Sequence, residues 1–269
     1  MKDWRKYNGA ILPTHPPHVL VNNNEQEIRL FIQESKVHFA RWTSDFDLKE
    51  KTNFWFVIND KAMKLDDYNT KVRNQIRKGL KNCEVKIIDV DFLIDKGYNV
   101  YISAFNTYKT YLKPKKKNEF IKEINKTFGD WQYWGVFSEN KLIGYCKVKI
   151  FKHSVEYTSI KFHPDHLKLR PSEALIYTLN KFYLNDKKYN YVNNGSRSVS
   201  HQTSFQDFLI KKFSFRKAYC RLHIIYSKKI ELLVQIIFPF RRLFKLFHFG
   251  MFRQINILLK QEKIKRSFN

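Results

Sequence analysis

Two apolar segments separated by a short polar turn constrain the fold of the middle of the chain more than any other feature. Tyr133–Phe137 and Leu142–Phe151 are rich in aromatic and β-branched residues, and Ser138–Lys141 between them reads Ser-Glu-Asn-Lys. Such segments bounded by a polar turn predict an antiparallel hairpin. Val155–Phe162 has the same composition and predicts the next strand.

The elements that follow alternate between helix and strand. Pro171 suits the first position of a helix, and apolar residues recur along one side of the segment that it opens. A short strand is predicted at residues 189–193, a helix at 205–213 and a closing strand at 218–226. Hairpin, strand, helix, strand, helix and strand together predict a mixed α/β domain of about one hundred residues.

The chain upstream of the hairpin contains a basic helix between two predicted strands. The strands are Phe54–Ile58 and Cys83–Val90. The helix begins near Asp66 and has an apolar stripe of Tyr68, Val72, Ile76 and Leu80 and a basic face of Lys71, Arg73, Arg77, Lys78 and Lys81. Two further helices are predicted at 97–112 and 118–128.

The net charge predicts an anionic partner. The 269 residues include 50 Lys and Arg against 25 Asp and Glu, which gives +25. With 43% hydrophobic and 16% aromatic residues the chain is not a disordered polycation. The charge indicates affinity for phosphates of a nucleic acid, bilayer or nucleotide-like cofactor, or else a solvated lysine-rich surface.

The cysteines and the N-terminus favour a cytoplasmic protein. Three widely spaced cysteines, Cys83, Cys146 and Cys220, do not indicate a disulfide framework. No apolar stretch follows the first charged residues, so a signal peptide is not predicted. No apolar run reaches the roughly 18 residues that a membrane span needs.

Several classes of enzyme lose support because their motifs are absent. The sequence has no Gly-x-Ser-x-Gly, Walker or Gly-x-Gly-x-x-Gly motif. His163 and His166 form a close histidine pair, but no cysteine is near, and a closed zinc site needs four ligands. No metal site is predicted.

The order of the central elements resembles the GNAT acyltransferase fold. Val136–Tyr145 is similar to the central strands of that family, and Phe208–Ala218 to its last helix and strand, with Ser214 in place of a usual glycine. The upstream text Trp55–Asp60 and Lys71–Val85 resembles the Fem-type branch, whose members build peptidoglycan cross-bridges from aminoacyl-tRNA.

The resemblance implies an α/β fold with a mixed sheet and three parts. Residues 130–226 would form the GNAT-like acyltransferase core, and residues 1–129 a partial GNAT-like, Fem-like extension at the N-terminus. Residues 227–269 would form a basic amphipathic C-terminal helix.

The donor region departs from the acetyl-CoA enzymes. They place glycines before the central helix to cradle the pyrophosphate, whereas residues 166–174 here contain none. Lys168, Arg170 and Ser172 remain as candidate donor-binding residues, but Glu173 would repel an anion. The tyrosine that many of these enzymes carry in the last helix corresponds to Ile210. No tightly bound cofactor is expected, and the acyl donor is a co-substrate, either aminoacyl-tRNA or acyl-CoA.

The family often keeps a carboxylate base on the strand that here contains Glu156. Acyl transfer to an amine or hydroxyl requires a base for the proton of the nucleophile, so Glu156 is a candidate catalytic residue. The alternative is a surface glutamate paired with Lys149 or Lys161.

A polar segment, residues 193–203, lies just after the predicted fifth strand of the core. It supplies candidate substrate-binding residues, Asn194, Ser196, Arg197 and Gln202, and His201 as a second catalytic candidate because histidine is the usual base near neutral pH. The alternative is an Asn-Gly turn followed by helix-capping Ser and Thr.

The C-terminal segment combines bulky apolar residues with positive charge. From Phe240 a single helix would place Leu243, Phe244, Phe247, Met251, Ile255 and Leu258 on one face and Arg241, Arg242, Lys245, Arg253 and Lys260 mostly opposite. A basic amphipathic helix is typical of a membrane-surface anchor, so residues 228–269 predict contact with an anionic membrane. The alternatives are a helix packed on the domain and an oligomer contact.

These observations predict a cytoplasmic Fem-type acyltransferase, peripheral on the inner face of the cell membrane. It would transfer an acyl or aminoacyl group to an amine or hydroxyl of a cell-envelope or polysaccharide precursor, with tRNA as a partner if the donor is aminoacyl-tRNA. One alternative is an acetyl-CoA-dependent N-acetyltransferase acting on an amino sugar. The other is a non-catalytic basic module that binds nucleic acid or membrane.

Overall fold

The structure is a computed structural model in which residues 3–108, 110, 112–125, 129–199, 204–244, 246–247 and 250–268 are described. The strands are β1 (Trp4–Tyr7), β2 (Ala10–Pro13), β3 (Phe39–Leu48), β4 (Phe54–Asn59), β5 (Glu84–Ile88), β6 (Trp131–Ser138), β7 (Lys141–Ile150), β8 (Ser154–Phe162), β9 (Tyr191–Ser196) and β10 (Arg216–Tyr226). The α-helices are α1 (Glu25–Ser35), α2 (Thr70–Asn82), α3 (Val90–Phe105), α4 (Lys117–Asn125), α5 (Pro171–Asn180), α6 (Ser204–Lys212), α7 (Lys228–Ile237), α8 (Arg241–Phe244) and α9 (Gly250–Lys265).

The chain forms two compact units. Unit 1 comprises residues 1–57, 196–204 and 217–269, and unit 2 comprises residues 58–195 and 205–216. Each contains strands and helices, so the mixed α/β class predicted from the sequence is confirmed.

The sheet of unit 2 contains the predicted hairpin. Its strand order is β9-β8-β7-β6-β5. The pairs β5–β6, β6–β7 and β7–β8 are antiparallel, and the pair β8–β9 is parallel. Helices α3 and α4 cover one face with a core of aromatic and aliphatic side chains, among them Leu93, Tyr101, Phe120, Tyr133 and Tyr145. Helix α5 contributes buried apolar residues and packs against α2.

In unit 1 the strand order is β1-β2-β3-β10-β4. One core cluster lies between α1 and the first strands and includes Ile11, Ile28 and Ala40. A second joins Leu222 and Ile224 of β10 to residues of the C-terminal helices. The residues before β4, for which the sequence analysis gives no elements, therefore contribute strands and a helix of their own.

The C-terminal segment corrects the expectation of one amphipathic helix. A C-terminal helix is present, as predicted, but two helices, α8 and α9, stand where one continuous helix was predicted from Phe240, and α7 precedes them. Two members of the predicted apolar face, Leu258 and Ile255, pack inward against buried clusters, whereas Leu243 and Met251 are exposed. No helix among the described residues has the length and apolar character needed to cross a bilayer.

Helix α3 also differs from its prediction. It begins at Val90 rather than near residue 97, and it ends at Phe105. Leu93, Gly97, Val100 and Ala104 are buried along it, and this spacing of three and four residues is the apolar face that fixes the whole helix.

Candidate active site

Strands β8 and β9 are paired in parallel over three residues, and no backbone pair joins described residues of these two strands beyond them. The interval between their unpaired ends is called the cleft here. Their paired residues are Ser154 with Tyr191, Val155 with Val192 and Glu156 with Asn193. Both strands continue beyond these pairs, β8 to Phe162 and β9 to Ser196. The side-chain amide of Asn194 donates to the carbonyl oxygen of Tyr157 at 3.3 Å, one residue beyond the last pair. Backbone pairing is thus replaced by a side-chain contact at the point where the cleft begins.

A β-bulge lies next to this divergence. On β7 the consecutive residues Lys147 and Val148 pair with Ser159 and Tyr157, so Thr158 is an extra residue on β8. The hydroxyl of Thr158 donates to the carbonyl oxygen of Lys147 at 3.0 Å. Bulges disrupt the regular ladder and turn side chains in a new direction, and they are common beside active sites.

Polar residues share one face of the sheet around the bulge. Lys149 lies opposite Glu156, and Lys147 lies opposite Ser159. Directly opposed residues, and residues two apart on a strand, point to the same face, so these four side chains lie together. The opposite face is different, because there Tyr157 donates through its hydroxyl to Asn180 of α5 at 3.1 Å.

Lys147 is a buried ionisable group on this face. Its side chain is buried, with 6% of its surface exposed, and its ammonium lies 5.4 Å from the centre of the Trp131 ring. Burial lowers the pKa of Lys147 to about 8, and the positive charge of Lys115 acts in the same direction. Desolvation disfavours the charged form of a lysine, so this side chain is held in a position that favours loss of its proton.

Lys147 belongs to a cluster of lysines. The lysine cluster is defined here as Lys115, Lys147 and Lys161. Burial lowers the pKa of Lys115, and the charge of Lys161 lowers it further. Lys161 donates to the hydroxyl of Tyr108 at 2.8 Å. Lys115 pairs with Glu123, whereas none of the ion pairs between described residues includes Lys147 or Lys161. The positive charge of these two lysines is therefore what a bound anion would stabilise.

The predicted base lies at the end of the paired stretch. Glu156 is half-exposed, and Asn193 opposite it is buried. Burial raises the pKa of Tyr191 to about 12, and the charge of Glu156 contributes to that rise. The Oδ1 atom of Asn193 accepts a hydrogen bond from the backbone N–H of Gly195 at 2.8 Å. The structure therefore places Glu156 on the polar face at the mouth of the cleft, across from Lys149.

The polar segment 193–203 is divided between the two units. Asn194 belongs to unit 2, and its carbonyl oxygen accepts from the side chain of Gln206 at 3.2 Å. Ser196 and Arg197 belong to unit 1, in which the guanidinium of Arg197 donates to the carbonyl oxygen of Asn53 at 2.5 Å and lies 4.6 Å from the centre of the Trp55 ring.

Two residues of the predicted site, His201 and Gln202, lie outside the described residues. Their roles stay predictions.

The N-terminus of α5, where donor binding was predicted, is occupied by a carboxylate of the chain itself. Glu173 is 2% exposed and accepts from the Ser172 hydroxyl at 2.7 Å. It pairs with Lys212 at 3.0 Å and with Arg170 at 3.5 Å. Lys168 is exposed. A negative charge in the first turn satisfies the helix dipole, so this end of α5 does not need an external anion.

Helix α2 packs against the first turn of α5. A Cβ atom added to Gly79 would lie 2.6 Å from the carbonyl oxygen of Arg170 and 3.0 Å from the backbone nitrogen of Ala174. The two helix backbones are therefore in close contact where acetyl-CoA enzymes need bare N–H groups facing the pyrophosphate.

No group of three metal-ligating side chains comes together within the part of the chain that the structure describes. His163 and His166 have ring centres 5.4 Å apart, and His163 lies 3.7 Å from Asp165.

The sequence analysis missed Lys147. A usable signal was present, because Lys147 stands between Cys146 and Val148 within the apolar strand of the predicted hairpin. A lysine in a strand that is buried on both faces is costly, and such residues concentrate at functional sites. Lys115 lies 32 residues before Lys147 in the sequence, and the fold was needed to bring the two together.

Comparison with solved structures assigns the fold. FemX aligns over 87% of this chain and 85% of its own, with a TM-score of 0.58 and 9% sequence identity. The C-terminal domain of a protein from Agrobacterium fabrum, described as a lysylphosphatidylglycerol synthetase, aligns over 87% and 82% with a TM-score of 0.52 and 10% identity. No protein-family model matches the sequence, and no curated protein is significantly similar to it. The chain has a GNAT-like fold of the Fem type, as the sequence predicts.

Proposed function

We propose that this chain is a Fem-type acyltransferase that transfers an acyl or aminoacyl group to an amine or hydroxyl of a cell-envelope or polysaccharide precursor. The observation that carries the proposal is the cleft between β8 and β9, with Glu156 at its mouth and the lysine cluster on the adjoining sheet face. The fold shared with FemX supports the same class of chemistry.

The lysine cluster is suited to a phosphate-bearing substrate. Burial and a neighbouring lysine charge lower the pKa values of Lys147 and Lys115, and a phosphate or diphosphate would relieve the repulsion between the lysines. Envelope precursors linked to a lipid or a nucleotide carry such a diphosphate. We assign Lys147 and Lys161 to the phosphate of the acceptor.

Glu156 is assigned as the base. In the reaction the nitrogen or oxygen of the acceptor attacks the carbonyl carbon of the donor, the new amide or ester bond forms, and the bond to the leaving group of the donor breaks. The proton of the nucleophile passes to the Glu156 carboxylate. Lys147, held beside this face, would also stabilise negative charge that develops on the carbonyl oxygen.

The donor that we favour is aminoacyl-tRNA rather than acyl-CoA. The buried Glu173 and the close approach of Gly79 leave the first turn of α5 without the open backbone donors that a pyrophosphate requires. An acetyl-CoA-dependent N-acetyltransferase therefore has less support from this structure. We also propose that the protein works at the inner face of the cell membrane, in contact with it through residues 228–269.

A transfer assay tests the function. The full-length protein is incubated with radiolabelled aminoacyl-tRNA, or with acetyl-CoA, and with lipid-linked or nucleotide-linked envelope precursors. We expect label to move from aminoacyl-tRNA to the precursor, and Glu156→Gln to reduce kcat/KM by about a hundredfold or more, the usual size of a general-base contribution.

The matched pair of variants for the lysine cluster is Lys147→Met and Lys141→Met. Both residues are in β7, but Lys141 is exposed at its first position. Lys147→Met should raise KM for the phosphate-bearing acceptor, and Lys141→Met should not. Transfer from acetyl-CoA alone would support the N-acetyltransferase instead. If the wild-type protein transferred from neither donor, the chain would be a binding module and the proposal would be wrong.

A further inference from the structure

An unusual share of the exposed apolar surface lies in one short stretch of unit 1. Among the described residues, eight of the eighteen exposed large hydrophobic side chains fall between residues 232 and 251. Six of them recur at intervals of three or four residues. The apolar edge is defined as these six: Leu232, Ile236, Phe240, Leu243, Phe247 and Met251.

The backbone keeps helical turns along most of the apolar edge. After α7 ends, the N–H of Phe240 donates to the carbonyl of Ile237, that of Leu243 to Phe240, and that of Phe247 to Phe244. Residues three or four apart on helical turns lie on the same side. Leu232 and Ile236 therefore share one side of α7, Phe240, Leu243 and Phe247 follow on successive turns, and Met251 lies at the start of α9.

The same stretch also has a buried apolar side. Val234, Ile237 and Phe238 are buried, and Leu259 of α9 packs with the last two. Helical turns that are apolar on the inner and the outer side need a cover on both. The protein supplies the inner cover, and solvent faces the outer side.

The charge around the apolar edge is positive. Lys228, Lys229 and Arg242 are exposed, and Arg241 is half-exposed. Between residues 228 and 260 the single acidic residue is Glu231, which pairs with Arg29 at 3.1 Å. Arg241 is positioned by its donation to the Phe238 carbonyl at 3.2 Å.

We infer that the apolar edge inserts into the surface of an anionic bilayer, while α9 belongs to the fold. Bulky apolar side chains enter the boundary of headgroups and acyl chains, and the flanking lysines and arginines bind anionic headgroups. A second copy of this chain is a poorer cover, because it would bring the same positive charges together. The inference extends the membrane contact of the proposed function to particular residues, and it holds whether or not the acyl transfer is correct.

The experiment measures cosedimentation of the full-length protein with vesicles of phosphatidylglycerol or of phosphatidylcholine. We expect binding to phosphatidylglycerol vesicles, partial release in high salt, and at least tenfold weaker binding to phosphatidylcholine. Salt screens the charges but not the buried apolar area, so release should be incomplete. Phe240→Ser, Leu243→Ser and Met251→Ser combined should reduce binding to phosphatidylglycerol by at least tenfold in low salt.

Two controls separate the apolar edge from general surface properties. Leu30→Ser removes another exposed leucine of unit 1, on α1, and should leave binding unchanged. The double variant Lys49→Gln, Lys51→Gln removes two exposed charges outside the apolar edge. The double variant Arg241→Gln, Arg242→Gln removes two charges beside it and should weaken vesicle binding severalfold more than the first.

Any of three results would overturn the inference. The first is that wild-type protein fails to sediment with phosphatidylglycerol vesicles, and the second is that the triple variant binds them like wild type. The third is that wild type is a dimer in sedimentation-velocity measurements and the triple variant a monomer, since the apolar edge would then contact a second copy. Transfer from a soluble nucleotide-linked acceptor should be the same in the triple variant and in wild type, which distinguishes this failure from failure of the proposed function.

Discussion

At the scale of single residues, the buried position of Lys147 lowers the stability of the protein but suits the proposed binding of a phosphate. A buried lysine with its pKa lowered to about 8 gives up part of its hydration in the folded state. A methionine of similar length would fill the same space beside Trp131 without that cost. Sites that cost stability and lie beside a cleft are typical of binding and catalysis.

Lys147→Met should therefore stabilise the protein while it raises KM for the acceptor. The unfolded pKa of lysine is about 10.4, so the folded state binds fewer protons between about pH 8 and pH 10.4. The stability of wild type therefore rises with pH across that window. Below about pH 8 the burial of protonated Lys147 lowers the free energy of unfolding by its full amount. We expect Lys147→Met to be more stable by roughly 2 kcal/mol at pH 7, with the difference shrinking above pH 8.

Thermal unfolding of both proteins at pH 7 and at pH 9.5 measures this difference. Lys141→Met, an exposed change in the same strand, should unfold at the wild-type temperature at both values. If Lys147→Met melted well below wild type at pH 7, the lysine would be a stabilising part of the core rather than a cost.

The pH dependence of transfer reports the same group. If protonated Lys147 binds the phosphate of the acceptor, kcat/KM should fall above about pH 8 as the free enzyme loses that proton. Lys147→Arg keeps the charge at all these pH values, so its kcat/KM should not fall above pH 8, even if its activity is lower. If kcat/KM of Lys147→Arg still fell near pH 8, the decrease would come from the titration of another group.

At the scale of secondary-structure elements, the contact of α2 with α5 depends on Gly79. Glycine in a helix ordinarily costs about 1 kcal/mol relative to alanine, so Gly79→Ala would stabilise an isolated helix. Here the added Cβ would lie 2.6 Å from the Arg170 carbonyl oxygen, which is backbone and cannot rotate away. The helices must separate to accommodate it.

We expect Gly79→Ala to destabilise the protein by roughly 1–3 kcal/mol, the usual range for an overpacked contact. Chemical denaturation measures this, with Lys78→Ala as the control because Lys78 is the exposed neighbour on the same helix. Equal stability of Gly79→Ala and wild type would show that α2 and α5 can move apart freely at this point.

The elements with local signals could be predicted from the sequence. The hairpin of β6 and β7, β8, α5 and α6 lie within about two residues of their predicted bounds, because a polar turn or the proline at 171 marks an end of several of them. The start of α3 was missed because Asp89, its N-cap residue, was assigned to the strand predicted at Cys83–Val90. In the structure Asp89 forms no side-chain capping hydrogen bond.

The candidate site could be predicted only in part. Glu156 and Asn194, both candidates from the sequence, lie near the last pair between β8 and β9, and their roles stay predictions. The lysine cluster could not be found, since Lys115 and Lys147 are far apart in sequence and their meeting depends on how α3 and α4 pack on the sheet. Arg197 was expected to bind substrate, yet in the structure its guanidinium lies against Asn53 and Trp55.

At the scale of the whole molecule, the C-terminal residues complete the same unit as the N-terminal residues. Gln261 accepts from Arg41 of β3 at 3.0 Å, and Glu262 accepts from the hydroxyl of Tyr226 at 3.0 Å. Ile264 packs with Leu222 of β10. The sequence leaves open whether residues 228–269 anchor the protein or pack on it. In the structure α9 packs on unit 1, and the membrane contact of the apolar edge stays a proposal.

Deleting residues 228–269 should therefore cause loss of the fold of unit 1 rather than a soluble, unbound protein. The deletion removes five buried apolar side chains, Val234, Ile237, Phe238, Leu259 and Ile264. At about 2 kcal/mol each, their burial contributes roughly 10 kcal/mol, which is comparable to the total stability of a typical domain. The truncated protein should aggregate or melt far below wild type. The variant with serine in place of Phe240, Leu243 and Met251 changes the same segment but only its exposed side, so it should melt within about 2 °C of wild type. If the truncated protein were monomeric and melted like wild type, α9 would not be part of the core, and the whole segment would have to be assigned to the membrane.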